Sequence, residues 1–193
     1  MRLFVALEVP QSVRGALASL MAKLRPLAPA ARWVRPENIH VTLKFIGAAP
    51  PAQLRPICDA LAEVHLSAPL RISFPGLGFF PDDRRPRVFW AGIHADNGLA
   101  ALAASIEGAL EPLGIARESR DFKPHLTLAR FPEPHPAPKL AEAVASLRDV
   151  EFGDSVSAEF HLFESRLKPG GAEYARLATF PVPAAADRGS TGS

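Results

Sequence analysis

The chain of 193 residues contains a single cysteine, Cys58. An intrachain disulfide is therefore impossible, and no cysteine cluster can hold zinc. Cys58 falls in the helical stretch around Leu54–Leu61 and reads as a small core hydrophobe. Long apolar runs are missing too. The opening Leu3-Phe4-Val5-Ala6-Leu7 ends at Glu8, too short for a signal peptide. No segment approaches the about 20 apolar residues of a membrane span. Nor is there a strong charge of either sign. Lys and Arg number 22 against 20 Asp and Glu, a net +2, so bulk charge makes no case for nucleic acid. These absences lead us to expect a cytoplasmic, reducing setting, no membrane partner and a monomer. What is plentiful is apolar side chains, at 48%, enough for a substantial core, and proline, at 20 residues, which fixes turns and strand boundaries.

Periodicity predicts strands at Arg2–Val9, Arg32–Val34, Asn38–Gly47, Leu70–Phe79, Arg87–His94, Pro124–Arg130, Val156–Arg166 and Glu173–Phe180. Gly76 and Gly78 mark bulge or turn points within the fourth of these. Helices are predicted at Gln11–Leu24, Pro51–Leu66, Asn97–Leu110 and Lys139–Arg148. The first carries Val13, Leu17, Leu20, Met21 and Leu24 at helical spacing. The last two strands form a hairpin around Pro169-Gly170-Gly171. Residues 183–193 are small and polar and are expected to form a flexible tail. The order β-α-β-α-β, repeated, predicts an α+β fold of mainly antiparallel sheets facing each other across a central cleft, helices outside.

One tetrapeptide pattern occurs twice. His40-Val41-Thr42-Leu43 and His125-Leu126-Thr127-Leu128 lie 85 residues apart. At that offset, residues 2–43 and 87–128 share 12 identities in 42 positions. Several are alanines in an alanine-rich chain, so the shared strand and helix pattern carries as much weight as the count. We expect an internal duplication with units of about 2–80 and 87–180, together one bilobal domain over 1–182. On a strand, the His and Thr of each copy point to one face, and the Val and Leu to the other. Two imidazoles could then line one cleft. One can take a proton while the other gives one, which is what acid–base chemistry at phosphorus requires without a metal.

Other chemistries fit less well. Neither copy has a second His or a carboxylate at i+2 or i+4 to complete a zinc site, and His65, His94, His135 and His161 share no spacing with them. There is no Gly-x-Ser-x-Gly elbow and no phosphate-binding Gly-x-x-x-x-Gly-Lys loop, so neither a serine hydrolase nor ATP use is indicated.

The flanks narrow the reading. Arg32-Trp33-Val34, Glu37-Asn38-Ile39-His40-Val41-Thr42-Leu43-Lys44-Phe45-Ile46-Gly47, Pro124-His125-Leu126-Thr127-Leu128-Ala129-Arg130, the opening Arg2-Leu3-Phe4-Val5-Ala6-Leu7 and Glu164-Ser165-Arg166-Leu167 resemble the RNA 2′,3′-cyclic phosphodiesterases. These were formerly called 2′-5′ RNA ligases and belong to the two-histidine (2H) phosphoesterase superfamily. The resemblance runs from residue 2 to about residue 180. It implies opening of the 2′,3′-cyclic phosphate at an RNA end to a 2′-phosphate, without cofactor or metal. It also implies His40 as proton donor and His125 as proton acceptor, an assignment the symmetry of the repeat leaves open. Thr42 and Thr127 can hold the non-bridging oxygens.

Arg130 can neutralise phosphate charge, although strict alternation puts it on the face opposite His125. Lys44, by the same alternation, shares the His40 face and can meet a phosphate, or is a solvated lysine. Phe45 alternates with Val41 and Leu43 and reads as core, as do Trp33 and Trp90. Phe79 and Phe80 can stack a terminal base or anchor a loop. Arg84, Arg85 and Arg87 can guide RNA or form a surface turn. Two other readings remain: a non-catalytic module binding RNA ends, and a phosphodiesterase acting on a small cyclic nucleotide.

Overall fold

The structure, a computed structural model, describes residues 1–65, 68–133, 136–147, 149–169 and 171–181. Its elements are β1 (Arg2–Glu8), α1 (Gln11–Leu24), β2 (Arg32–Trp33), β3 (His40–Ala48), α2 (Leu54–Ala62), β4 (Leu70–Pro75), β5 (Leu77–Phe80), β6 (Val88–Gly92), β7 (His94–Ala95), α3 (Asn97–Leu110), β8 (His125–Arg130), α4 (Pro138–Ala145), β9 (Glu151–Ser157), β10 (Glu159–Lys168) and β11 (Gly171–Pro181). The fold is α+β, with every sheet pairing antiparallel.

The helices follow their apolar stripes. α1 buries Val13, Leu17, Met21 and Leu24, and the chain then tightens into a short 3₁₀ turn at Arg25–Leu27. Pro26 cannot donate the next helical hydrogen bond. α3 starts at Asp96, whose carboxylate accepts from the Gly98 amide at 2.9 Å. A left-handed Gly114 follows its closing 3₁₀ turn. α2 is shorter than predicted, because Pro51–Gln53 forms a 3₁₀ turn and the helix ends at Ala62. Leu66 and Arg148, the predicted ends of two helices, lie outside the described residues. So do Gly170, His135 and the predicted tail.

Three of the predicted strands prove to be two each. Leu70–Phe79 divides at Gly76, whose φ of +64° only glycine adopts freely, into β4 and β5 in different sheets. Arg87–His94 divides into β6 and β7. Val156–Arg166 divides at Ala158 into β9 and β10. Most of β9 was not foreseen. Its Glu151-Phe152-Gly153-Asp154 carries only one buried apolar residue and a glycine at φ +116°.

The four-stranded sheets run β11-β10-β1-β3 and β2-β8-β6-β5, and a third sheet runs β7-β4-β9. Each large sheet takes strands from both halves of the chain. β5, early in the chain, crosses to the sheet of β6 and β8, while β10 and β11 cross to the sheet of β1 and β3. β4 and β9 pair with each other. One continuous core lies behind both sheets, with Phe74, Phe89 and Phe160 fully buried. A small second cluster of Phe4, Ala6 and Phe163, packed by Tyr174, covers the opposite face of the β1 sheet.

Candidate active site between the two sheets

The predicted His/Thr faces depend on how β3 and β8 pair. Along β3, His40 stands opposite Glu8, Val41 opposite Leu7 and Thr42 opposite Ala6, but Lys44 is the next partner, opposite Val5. Leu43 is an extra residue, a β-bulge, and it reverses the parity of the residues after it. Leu43 and Lys44 are both 4% exposed, while Phe45 is 59% exposed. β8 does the same at the equivalent point. Thr127 pairs with Trp90 and Ala129 with Phe89, skipping Leu128. Leu128 and Ala129 are both buried, and Arg130 emerges on the face of His125 and Thr127.

Three predictions made from strict alternation are thereby corrected. Arg130 shares the histidine face. Lys44 leaves it and donates to Glu107 Oε2 and the Ala116 carbonyl, each at 2.6 Å. Phe45 is not core.

A cavity of about 290 Å³ opens between the two sheets. His40, Thr42 and Phe45 of β3, Thr127 and Arg130 of β8, Arg2 and Phe4 of β1, Ser165 of β10 and Tyr174 of β11 line it, with Asn38 beside them. Among the described residues lining it there are two guanidinium groups and no carboxylate, a setting that favours an anion. His125 is not part of that lining. It sits at the head of β8, two residues before Thr127, with the edge of Phe80 against its ring at 5.1 Å. A second cavity of about 250 Å³ shares Phe4, Asn38, His40 and Tyr174 with the first and adds Glu8, Arg14, Glu37 and Arg176. Glu8 and Arg176 there form an ion pair.

The two imidazoles are held alike. His40 Nδ1 lies 2.7 Å from the Asn38 carbonyl, and His125 Nδ1 lies 2.8 Å from the Lys123 carbonyl. A carbonyl only accepts, so each Nδ1 carries the hydrogen and each Nε2 of a neutral ring keeps its lone pair for the cleft. The Asn38 amide donates to the Ala172 carbonyl of β11 at 2.7 Å and so ties the His40 support to the neighbouring strand. Phe4, at 4.8 Å, and the edge of Tyr174, at 5.3 Å, pack the His40 ring.

Burial pushes the His40 pKa down to about 4, against the pull of the Asn38 carbonyl and with help from the charges of Arg130 and His125. His125 is lowered too, by burial first and by Arg130, with the Lys123 carbonyl opposing. Both rings are therefore neutral at pH 7 when the site is empty of anions. Burial raises Tyr174, so its phenol keeps its proton and can donate.

The supporting residues fall into place around this pair. Trp33 packs edge-on to Phe89 at the core, as predicted. Trp90 does not. Its ring covers Gly78, where a Cβ would come within 2.3 Å of it, and stacks near Phe80, which touches His125. Phe79 faces Phe89. The Arg84 and Arg85 amides both donate to Asp82 Oδ1, making that cluster a surface turn. Arg2, Asn38, Ser165 and Tyr174 were not singled out by sequence reasoning. The single tyrosine of the chain was the one signal that could have drawn attention. Among the described residues, no group of three or more His, Cys, Asp or Glu is arranged to hold a metal ion. Nor is any helix among them long and apolar enough to cross a membrane.

Comparison with known proteins shows the family and the fold. The family model of the LigT like phosphoesterases matches residues 7–90 and again 93–174. The chain is similar to the RNA 2′,3′-cyclic phosphodiesterase of Archaeoglobus fulgidus, 37% identical over 180 residues that make up 93% of this chain and 99% of that protein. It is 36% identical over 193 residues to the enzyme of the same name from Thermus thermophilus, covering 94% and 90% of the two chains. A crystal structure of a protein from Thermus thermophilus superposes with a TM-score of 0.80 at 34% identity, covering 95% of this chain and 99% of that one.

Proposed function

The chain belongs to the LigT like phosphoesterase family, and from that premise we propose that it hydrolyses the 2′,3′-cyclic phosphate at RNA ends to a 2′-phosphate. The observation that carries the reading is the pair of matched bulges, which gather His40, Thr42, Thr127 and Arg130 on facing strands around one carboxylate-free cavity.

The phosphate sits between the strands. The hydroxyls of Thr42 and Thr127 donate to its non-bridging oxygens, and Arg130 balances their charge. His125, neutral with its Nε2 lone pair free, takes a proton from the attacking water. The P–O3′ bond breaks on the opposite side, and His40 gives its proton to the departing oxygen. His40 must be protonated to do so, although burial holds it near 4 in the empty site. An anionic phosphate beside the ring favours the imidazolium and brings the proton into the complex. The two rings then exchange protons with solvent and the cycle closes. No metal or cofactor takes part. In reverse, a 5′-hydroxyl end replaces water and a 2′-5′ bond forms without ATP, but hydrolysis prevails because water is the concentrated nucleophile. One bilobal domain over 1–182, acting as a monomer in the cytoplasm, completes the proposal. The exchange of strands between its sheets supports a single unit.

The test is turnover of an oligonucleotide ending in a 2′,3′-cyclic phosphate, in excess chelator, by wild type, His40→Ala and His125→Ala. A 2′-phosphate product is expected, with each variant slowed roughly 100- to 10,000-fold. Abolition by chelator, or near-normal turnover by either variant, would sink the mechanism. Binding without turnover by wild type would leave an RNA-end binding module instead. Comparison with a mononucleoside cyclic phosphate separates RNA from a small cyclic nucleotide as substrate.

A further inference from the structure

Arg32 and Arg130 stand directly opposite each other across β2 and β8. Paired residues of antiparallel strands project to the same face, so Arg32 shares the face on which His125, Thr127 and Arg130 emerge. Val34, two residues on, lines the cavity beside Arg130. Trp33 between them turns to the core, edge-on to Phe89, and its indole nitrogen donates to the Ala28 carbonyl at 3.3 Å. The Val34 amide donates at 2.9 Å to the carbonyl of Leu128, the extra residue of the β8 bulge. The short strand that carries Arg32 is thus fixed in place.

Like charges in register across two strands repel. Both side chains are exposed, and neither has an ion pair or hydrogen bond to a carboxylate among the described residues. Other arginines do. Arg117, which the offset of 85 matches to Arg32, pairs with Glu111 at 3.0 Å, and Arg166 of β10 pairs with Glu164 at 2.7 Å. Two unneutralised guanidiniums side by side favour an anion. For Arg130 that anion is the reacting phosphate, but Arg32 lies further out. From Thr127 to Arg130 the partner on β6 moves from Trp90 to Val88, two residues or roughly 7 Å along the strand, and β2 adds one strand spacing of roughly 5 Å to the side. That is the reach from one phosphate to the next along an extended RNA strand.

We propose that Arg32, with Arg130, binds the internucleotide phosphate on the 5′ side of the terminal nucleotide, and so selects RNA strands over mononucleotides. The inference rests on the hydrolytic reading above. The contact reads charge and no base, so it serves every sequence.

The experiment compares kcat/KM of wild type, Arg32→Gln and Arg32→Lys on three substrates. One is a diadenosine dinucleotide ending in a 2′,3′-cyclic phosphate, the second is the same dinucleotide with an uncharged methylphosphonate linkage, and the third is adenosine 2′,3′-cyclic phosphate. Arg32→Gln is expected to lose roughly 10-fold on the charged dinucleotide, through KM, and to equal wild type on the other two. Arg32→Lys keeps the charge and most of the rate. The slope of log kcat/KM against log salt on the charged dinucleotide is expected to flatten by roughly 0.7 in Arg32→Gln. That variant should melt no lower than wild type at low salt, because a repulsive pair has been removed. Equal losses on all three substrates, a loss that persists with the uncharged linkage, no loss on any, or a lower melting temperature would overturn the phosphate contact while leaving hydrolysis intact. A wild type that turns over none of the three would overturn the hydrolytic reading itself.

Discussion

At the scale of single residues, the cleft is governed by one guanidinium and two imidazoles. Arg130 depresses the pKa of both His40 and His125 and also acts on Tyr174. Replacing it with glutamine removes a positive charge that disfavours imidazolium. Both rings of Arg130→Gln are therefore expected to titrate at higher pH than in wild type when followed by the NMR shift of their ring protons. Turnover falls in the same variant because phosphate charge loses its counterion. Unmoved titration curves would put the guanidinium out of reach of the rings. The tautomer of each histidine depends on the carbonyl two residues upstream, a backbone device that no side-chain motif reveals.

At the scale of elements, the bulges at Leu43 and Leu128 decide the site, and the buried Lys44–Glu107 pair ties the first of them to α3. Lys44 and Glu107 side chains are 3% and 15% exposed. Lys44→Met leaves that carboxylate facing an apolar side chain, and we expect a loss of roughly 3 kcal/mol in denaturant unfolding, as for other broken buried pairs. Lys44→Met with Glu107→Leu should return much of it. If the double variant is as unstable as the single, the uncompensated charge is not the cause.

These elements also show what could be read in advance. The His-x-Thr-Leu copies, the bounds of α1 and α3 and the α+β class were legible, because period-two and period-3.6 patterns survive in the residue types. The fates of Lys44, Phe45 and Arg130 were not. A bulge inserts a residue without a compositional mark, so a parity count carried past Leu43 or Leu128 goes wrong by one. Trp90, expected in the core, is half-buried over Gly78, and a large aromatic looks the same in sequence in either place.

For the whole molecule, acid should act through the buried imidazoles. An unfolded histidine protonates near 6.5, His40 in the fold only near 4. Protons therefore favour the unfolded chain in between. The contribution of the neutral ring is complete above pH 6.5, wanes as the pH falls toward 4 and changes no further below that. A shift of this size corresponds to roughly 3 kcal/mol over the window. Thermal melts of wild type should fall more steeply between pH 6.5 and 4.5 than those of His40→Gln. Parallel curves would show that the ring is as easily protonated in the fold as out of it.

The crossing of strands between the sheets has a consequence for synthesis. β1 pairs with β10 as well as β3, Leu3 lying opposite Glu164. On a ribosome adding about 5–20 residues per second, the apolar Leu3–Leu7 must wait on the order of ten seconds for its second neighbour to emerge. During that interval one edge of β1 is open to any other strand in reach, including β1 of a neighbouring nascent chain. The interleaving that makes one site from two halves also makes β1 dependent on β10, a strand synthesised much later.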